Sequence, residues 1–415
     1  MEIINKTILP SGIKVITEKL PHVKSFSLGF WFNVGSVDEN EEYNGISHFI
    51  EHMLFKGTKK RSAKKIAENI ESLGGYLNAF TSKEHTCYYG RGLEGHTKKT
   101  FEVLADMILN SVFNENEIRK EAAVIVDELN DIEDSPEELI FDKFEAETYK
   151  GNSLAFPIIG TEKNILAFTR DDFIDYLIKH YNFSNLSIVA SGAVEHEEII
   201  RLTEKYFNSP KSFPSVQRPL LNFSQWENRF VYKDIQQSHI ITGTITSGYK
   251  ERDRVIVNLL SHILGEGSSS RLFQSVREKN GIAYQINTFL NSYYDCSTFG
   301  VYFSTNDKMV NKASGLIKSE LEKIKEKKVS EKELNRAKEY LKGSILMGME
   351  STSNRMIRIA QSELYLGRNK TVAESIEEIH SVTADDIHLS ANSLFDENKL
   401  CRIMIGSKNI FSLPE

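Results

Sequence analysis

The sequence predicts an α+β fold of two similar domains, each a mostly antiparallel sheet with helices packed on one face. Three observations lead there. Within each half of the 415 residues, strand-like runs, helix-like runs and again strands and helices follow one another in blocks. A proline-rich stretch near the middle, holding Pro210, Pro214 and Pro219, resists both helix and sheet. The halves also align on each other at a fixed offset of 214 residues. The expected domains are therefore 1–208, a linker at 209–226, and 227–415.

The offset is carried by particular residues. Thr169, Asp171, Asp172, Leu186 and Gly192 fall on Thr383, Asp385, Asp386, Leu400 and Gly406. Each segment reads as a capped helix followed by an apolar strand. Gly29 falls on Gly243, and Ser47-His48 on Ser261-His262. A constant spacing of this kind marks a duplication. Further on, Glu51 meets Gly265 and His52 meets Glu266, so the second copy is expected to have lost what the first copy holds there.

Taken along the chain, residues 26–34 form the first clear apolar strand. Next comes His48-Phe49-Ile50-Glu51-His52. Ile46, Phe49, Ile50, Met53 and Leu54 recur at helical spacing, which makes the segment a buried-faced helix. Residues four apart share one side of a helix, so His48 and His52 can reach one metal ion. Glu51 shares that side and can reach a water on the metal without being a ligand. Two imidazoles and a carboxylate suit zinc, and this order of residues is the inverted zinc-peptidase motif. A catalytic zinc needs a third protein ligand. The stretch 117–129 is helical by pattern, with Ile118, Ala122, Ile125 and Leu129 at three- and four-residue steps. Its Glu121 and Glu128 are seven apart and project nearly the same way: one can bind metal while the other hydrogen-bonds a ligand histidine.

These residues carry a resemblance. His48, Glu51, His52 and a glutamate 76 positions on, with Gly45-Ile46-Ser47, Phe55-Lys56-Gly57-Thr58 and Gly74-Gly75-Tyr76-Leu77-Asn78-Ala79 around them, resemble the pitrilysin-type zinc metallopeptidases. The mitochondrial processing peptidase beta subunit and its bacterial relatives look nearest. The likeness runs from Ile8 to Met404 and departs at 152–157, where many relatives carry His-Pro. It implies Glu128 as third zinc ligand and Glu121 as an essential carboxylate beside it. It implies that Leu77, Asn78, Ala79 and Phe80 form a sheet edge pairing with the peptide backbone. It implies that Arg277 and Tyr284, seven apart in the second half, contact substrate near the scissile bond. Both are donors suited to a carbonyl oxygen or oxyanion. Relatives of double length close a further domain over the zinc site. The expectation here is a homodimer in which Arg277 and Tyr284 act in trans, a heterodimer with an inactive subunit remaining open.

The rest of 265–284 is unremarkable. Gly265-Glu266-Gly267-Ser268 lacks the Gly-Lys-Ser/Thr ending of a phosphate loop. A short amphipathic helix stopped by Gly281 is the simpler reading. Composition excludes several classes. The net charge of −7 and the absence of a basic stripe argue against nucleic acid. No run approaches the roughly 18 apolar residues of a membrane span, and the N-terminus carries no secretory pattern. Cys87, Cys296 and Cys401 are too scattered for a disulfide framework and suit a reducing cytoplasm.

The expected function is a zinc-dependent endopeptidase acting on extended or presequence-type peptides inside a clamshell chamber, with Glu51 as general base. A non-catalytic partner or scaffold subunit of the same fold is the alternative. A zinc hydrolase of non-peptide amides would use the same chemistry.

Overall fold

A computed structural model describes residues 3–208, 218, 221–223 and 226–410. The chain divides into two compact units. The first takes Met1–Asn130, Phe156–Leu220 and Met347–Thr371; the second takes Asp131–Ala155, Leu221–Leu346 and Val372–Glu415.

The first unit is built on strands β1 (Ile4–Ile8), β2 (Lys14–Lys19), β3 (Ser25–Phe32), β4 (Tyr76–Thr81), β5 (Thr86–Leu93) and β6 (Leu186–Gly192). Their order is β1-β2-β6-β3-β5-β4, with β2–β6 parallel and the other pairs antiparallel. The second unit has β7 (Arg229–Tyr232), β8 (Ser238–Ser247), β9 (Gln285–Ser292), β10 (Cys296–Thr305) and β11 (Cys401–Gly406). Their order is β7-β11-β8-β10-β9, with β7–β11 parallel. Leaving out β1, the two sheets have one topology and the same single parallel pair. The helices Arg170–His180 and Ala384–Leu394 lie at the sequence offset of 214, each opened by a reciprocal cap, Thr169 with Asp172 and Thr383 with Asp386.

Both faces of each sheet are covered, which goes beyond the expected one. In β3, Phe30 and Trp31 point to opposite faces. Phe30 meets Phe101 of a helix at Thr97–Asn110, ring centroids 5.0 Å apart. Trp31 lies on the other side, clustered with Met356, Ile359 and Ala360 of the helix Thr352–Leu366. In β8, Ile240 joins Leu260 and Ile263 of the helix Asp253–Gly265. Its neighbour Ile241 packs on Leu139, Ile140 and Phe144 of a helix at Pro136–Thr148.

The two covering helices are exchanged. Pro136–Thr148 comes from the first half of the sequence and covers the second sheet; Thr352–Leu366 comes from the second half and covers the first. The halves 1–208 and 227–415 thus supply the sheets, but the compact units cross that boundary twice. Gly29 and Gly243 mark where these helices press on the strands. A Cβ on Gly29 would lie 2.9 Å from Met356 Sδ, and one on Gly243 would lie 2.8 Å from Phe144 Cζ. Most of the expected linker 209–226 falls outside the described residues. Its Arg218 is fixed on the first unit by two hydrogen bonds to Asp38, at 3.0 and 2.8 Å.

Candidate metal centre

The helix bearing the His-x-x-Glu-His motif is α1 (Ile46–Leu54). Gly45 precedes it at φ +100°, a left-handed conformation that glycine adopts freely. The buried Glu39 accepts the backbone N–H groups of Gly45 and Ser47, at 2.8 and 2.9 Å, and the Asn44 amide at 3.0 Å. A carboxyl group at the helix start satisfies amides that have no partner within the helix. Ile46, Phe49, Ile50, Met53 and Leu54 are buried, and Phe49 packs edge-on against Phe173. That burial fixes the rotation of α1 and leaves His48, Glu51 and His52 on its open side.

The imidazoles of His48 and His52 lie with centroids 4.7 Å apart. The helix α2 (Glu115–Asp134) brings in Glu128. Its two carboxylate oxygens stand 3.8 Å from His48 Nε2 and 3.7 Å from His52 Nε2. The three donor groups offer atoms within 4.8 Å of one another. Such separations exceed a hydrogen bond. They suit donors around one ion, since bonds of about 2.0–2.1 Å in tetrahedral array put neighbouring donors about 3.3 Å apart. Two imidazole nitrogens and one carboxylate are a fitting set for zinc, with a fourth position left for water. Among the described residues this is the one group of three or more histidine, cysteine or acidic side chains so placed.

Two turns earlier on α2, Glu121 accepts a hydrogen bond from His52 Nδ1 at 2.8 Å and pairs with Lys56 through its other oxygen. That bond places the proton on Nδ1 and leaves the lone pair of Nε2 facing Glu128. Burial works to raise the Glu121 carboxyl, but the bonds from His52 and Lys56 prevail and hold it below its ordinary range. Burial, then the charge of His52, lowers His48 to about 4, keeping it neutral and able to ligate. Its Nδ1 is buried with no hydrogen-bond partner.

Glu51 stays out of the donor set. Its Oε2 accepts the Thr81 hydroxyl at 2.5 Å. Burial pushes the Glu51 carboxyl up, and the Thr81 bond pulls against that. Thr81 ends β4, the strand at the free edge of its sheet. Among the described residues, Leu77, Asn78, Ala79 and Phe80 therefore lie on a strand with one unpaired side, and α1 packs beside it.

Arg277 and Tyr284 belong to the second unit, where the structure brings them together. Arg277 sits on a π-helical turn, Phe273–Glu278, with its guanidinium 4.9 Å from the Phe273 ring and 4.8 Å from the Tyr284 ring. Tyr284 is 72 % exposed. Gly281, at φ +61°, closes the turn as expected from the sequence. At the place in the second half equivalent to the motif, Tyr340 stacks on His262 at 4.1 Å, and His262 Nδ1 lies 3.8 Å from Glu266. Sequence reasoning put Thr81 at the end of the expected peptide-pairing strand but gave its side chain, and those of Lys56 and Glu39, no role.

Residues 14–162 match the family model described as Insulinase (Peptidase family M16), and residues 167–341 match Peptidase M16 inactive domain. A Bacillus subtilis protein described as uncharacterized zinc protease YmxG is 35 % identical over 405 residues, covering 96 % of this chain and 98 % of its own. A Rickettsia felis protein described as an uncharacterized zinc protease is 38 % identical, covering 93 % of this chain and 94 % of its own. Among solved structures, a protease from Helicobacter pylori superposes with a TM-score of 0.91 at 23 % identity, over 98 % of this chain and 99 % of its own. A peptidase M16 inactive domain from Pseudomonas fluorescens gives 0.89 at 18 %, over 98 % of each. These two likenesses are of fold.

Proposed function

From the premise that this chain belongs to peptidase family M16, we propose that it is a zinc-dependent endopeptidase that hydrolyses extended peptides, presequence-type targeting peptides among them. The observation that carries this reading is the convergence of His48, His52 and Glu128 beside a Glu51 that is not a donor to the same point. Zinc would be held by those three residues and, when bound, supplies the polarisation that makes water a nucleophile and the scissile carbonyl an electrophile. Glu51 takes the proton from the attacking water and delivers it to the leaving amine. Glu121 and Lys56 keep His52 oriented throughout.

The free edge of β4 offers backbone N–H and C=O groups to an extended peptide. Main-chain pairing of this kind reads little side-chain identity, so specificity is broad. Arg277 and Tyr284 donate to the carbonyl oxygen, supplied in trans by a second copy in a clamshell homodimer working in the cytoplasm. No helix among the described residues is long and apolar enough to cross a membrane.

The test combines metal analysis with cleavage of a quenched fluorescent peptide library. One zinc per chain and cleavage abolished by a chelator are expected. Zinc without cleavage of any peptide would give the place to the non-catalytic subunit reading. Gel filtration of the active species tests the homodimer; full activity in a monomer removes the role in trans.

A further inference from the structure

We propose that Thr81 is a positioning residue for the general base, coupling it to the strand on which a peptide would lie. The inference rests on the role of Glu51 given above and deepens it. Thr81 Oγ1 donates to Glu51 Oε2 at 2.5 Å, the short distance of a hydroxyl bonded to a charged acceptor. A glutamate side chain turns freely about three bonds. With one oxygen fixed by Thr81, the other is the one presented to a water proton, and its direction is set.

The donor itself is held. Thr81 is the last residue of β4 and pairs directly with Thr86 at the start of β5. The Thr86 hydroxyl is anchored on the Val34 carbonyl at 2.9 Å. On the hairpin between them, the Ser82 N–H bonds the His85 carbonyl at 2.9 Å. The hydroxyl of Thr81 thus sits at the tight end of a hairpin whose other side is the free sheet edge. A peptide added to that edge would order the strand that aims the base. Substrate docking and proton transfer share one element, and the hydroxyl is the link between them.

The experiment compares Thr81→Val, which keeps the branched shape and removes the donor, with Thr81→Ser, which keeps the donor. Kinetics with a quenched fluorescent peptide and zinc content are measured for both. The expected result for Thr81→Val is a fall in kcat of about 10²-fold, the scale of a misaimed reacting group. KM should stay within about threefold and zinc should remain at one per chain, while Thr81→Ser returns most of the lost kcat. Unchanged kcat in Thr81→Val overturns the proposal. So does a rise in KM alone, which would make Thr81 only part of the peptide-binding strand, and so does loss of zinc. Glu51→Gln is run in parallel: if that variant turned over like the parent, the general-base reading would fail on its own, whatever Thr81→Val does.

Discussion

His52 is held on Nδ1 by Glu121, and its Nε2 faces the point shared with His48 and Glu128. Removing the Glu121 bond should loosen the ion without removing a ligand. Glu121→Gln is expected to weaken zinc binding roughly 10–100-fold, read by competition with a chromogenic chelator. Glu51→Gln should do the opposite: zinc retained, kcat down on the order of 10²–10⁴-fold. At this scale much was legible in the sequence, because helical spacing alone puts His48, Glu51 and His52 on one side. Glu121 and Glu128 followed from their seven-residue step together with the resemblance. Thr81 and Lys56 carry no such signature. Nothing in a lone threonine says that its hydroxyl will meet a carboxylate 30 residues away, since that contact is made by the packing of α1 on β4.

The strands and the helices pressed on them set the next scale. Gly29 and Gly243 are equivalent by offset, yet their surroundings differ in how far they can yield. A methyl group on Gly29 would meet Trp31 Nε1 at 2.6 Å and the flexible Met356 at 2.9 Å. On Gly243 it would meet the Phe299 carbonyl at 2.4 Å and Gly300 Cα at 2.8 Å, both backbone of the neighbouring strand. Overpacking costs about 1–3 kcal/mol where side chains can move. Gly29→Ala should fall in that range, and Gly243→Ala should cost more, as read from denaturant midpoints of the two variants. The pairing of these glycines was visible in the sequence, as was the alternation of blocks. Which helix lies over them was not. An amphipathic helix shows the same pattern whichever sheet it covers, so the crossing of Pro136–Thr148 and Thr352–Leu366 could not be seen in it.

For the molecule as a whole, that crossing decides what can fold alone. Residues 1–208 without 352–366 would expose the side of the sheet bearing Ile16, Trp31, Cys87 and Val189. Expressed alone, that half should aggregate; expressed together with residues 227–415, the two should co-purify as one soluble species. A soluble, cooperatively unfolding 1–208 would contradict the role given to the covering helix. Acid should also weaken the whole fold. Burial first, with neighbouring charges, lowers His48, His85 and His180 to about 4. The native state keeps them neutral where the unfolded chain protonates near 6.5. Their stabilisation is therefore full above about pH 6.5 and is lost as pH falls toward about 4, each group giving a slope near 1.4 kcal/mol per pH unit. Glu39, pushed up to about 7 by burial, acts in the opposite sense, its native proton favouring the fold as pH drops from about 7 to 4.5. Glu51, also raised by burial, acts with Glu39, while His196 and His239, also lowered by burial, act with the three histidines; the balance is a net decline, to be checked by urea unfolding of zinc-free protein at about pH 7.5, 6 and 5.

Reciprocal crossing also constrains how such a chain could have arisen. A gene encoding a single repeat would leave its product with one uncovered sheet and one unplaced amphipathic segment. Two such products satisfy both needs by intertwining, each threading its segment onto its twin, as domain-swapped pairs do. Fusion of two such genes would then have joined an already symmetric pair, freeing one copy to carry Gly265 and Glu266 where the other keeps Glu51 and His52, while still cladding that other copy.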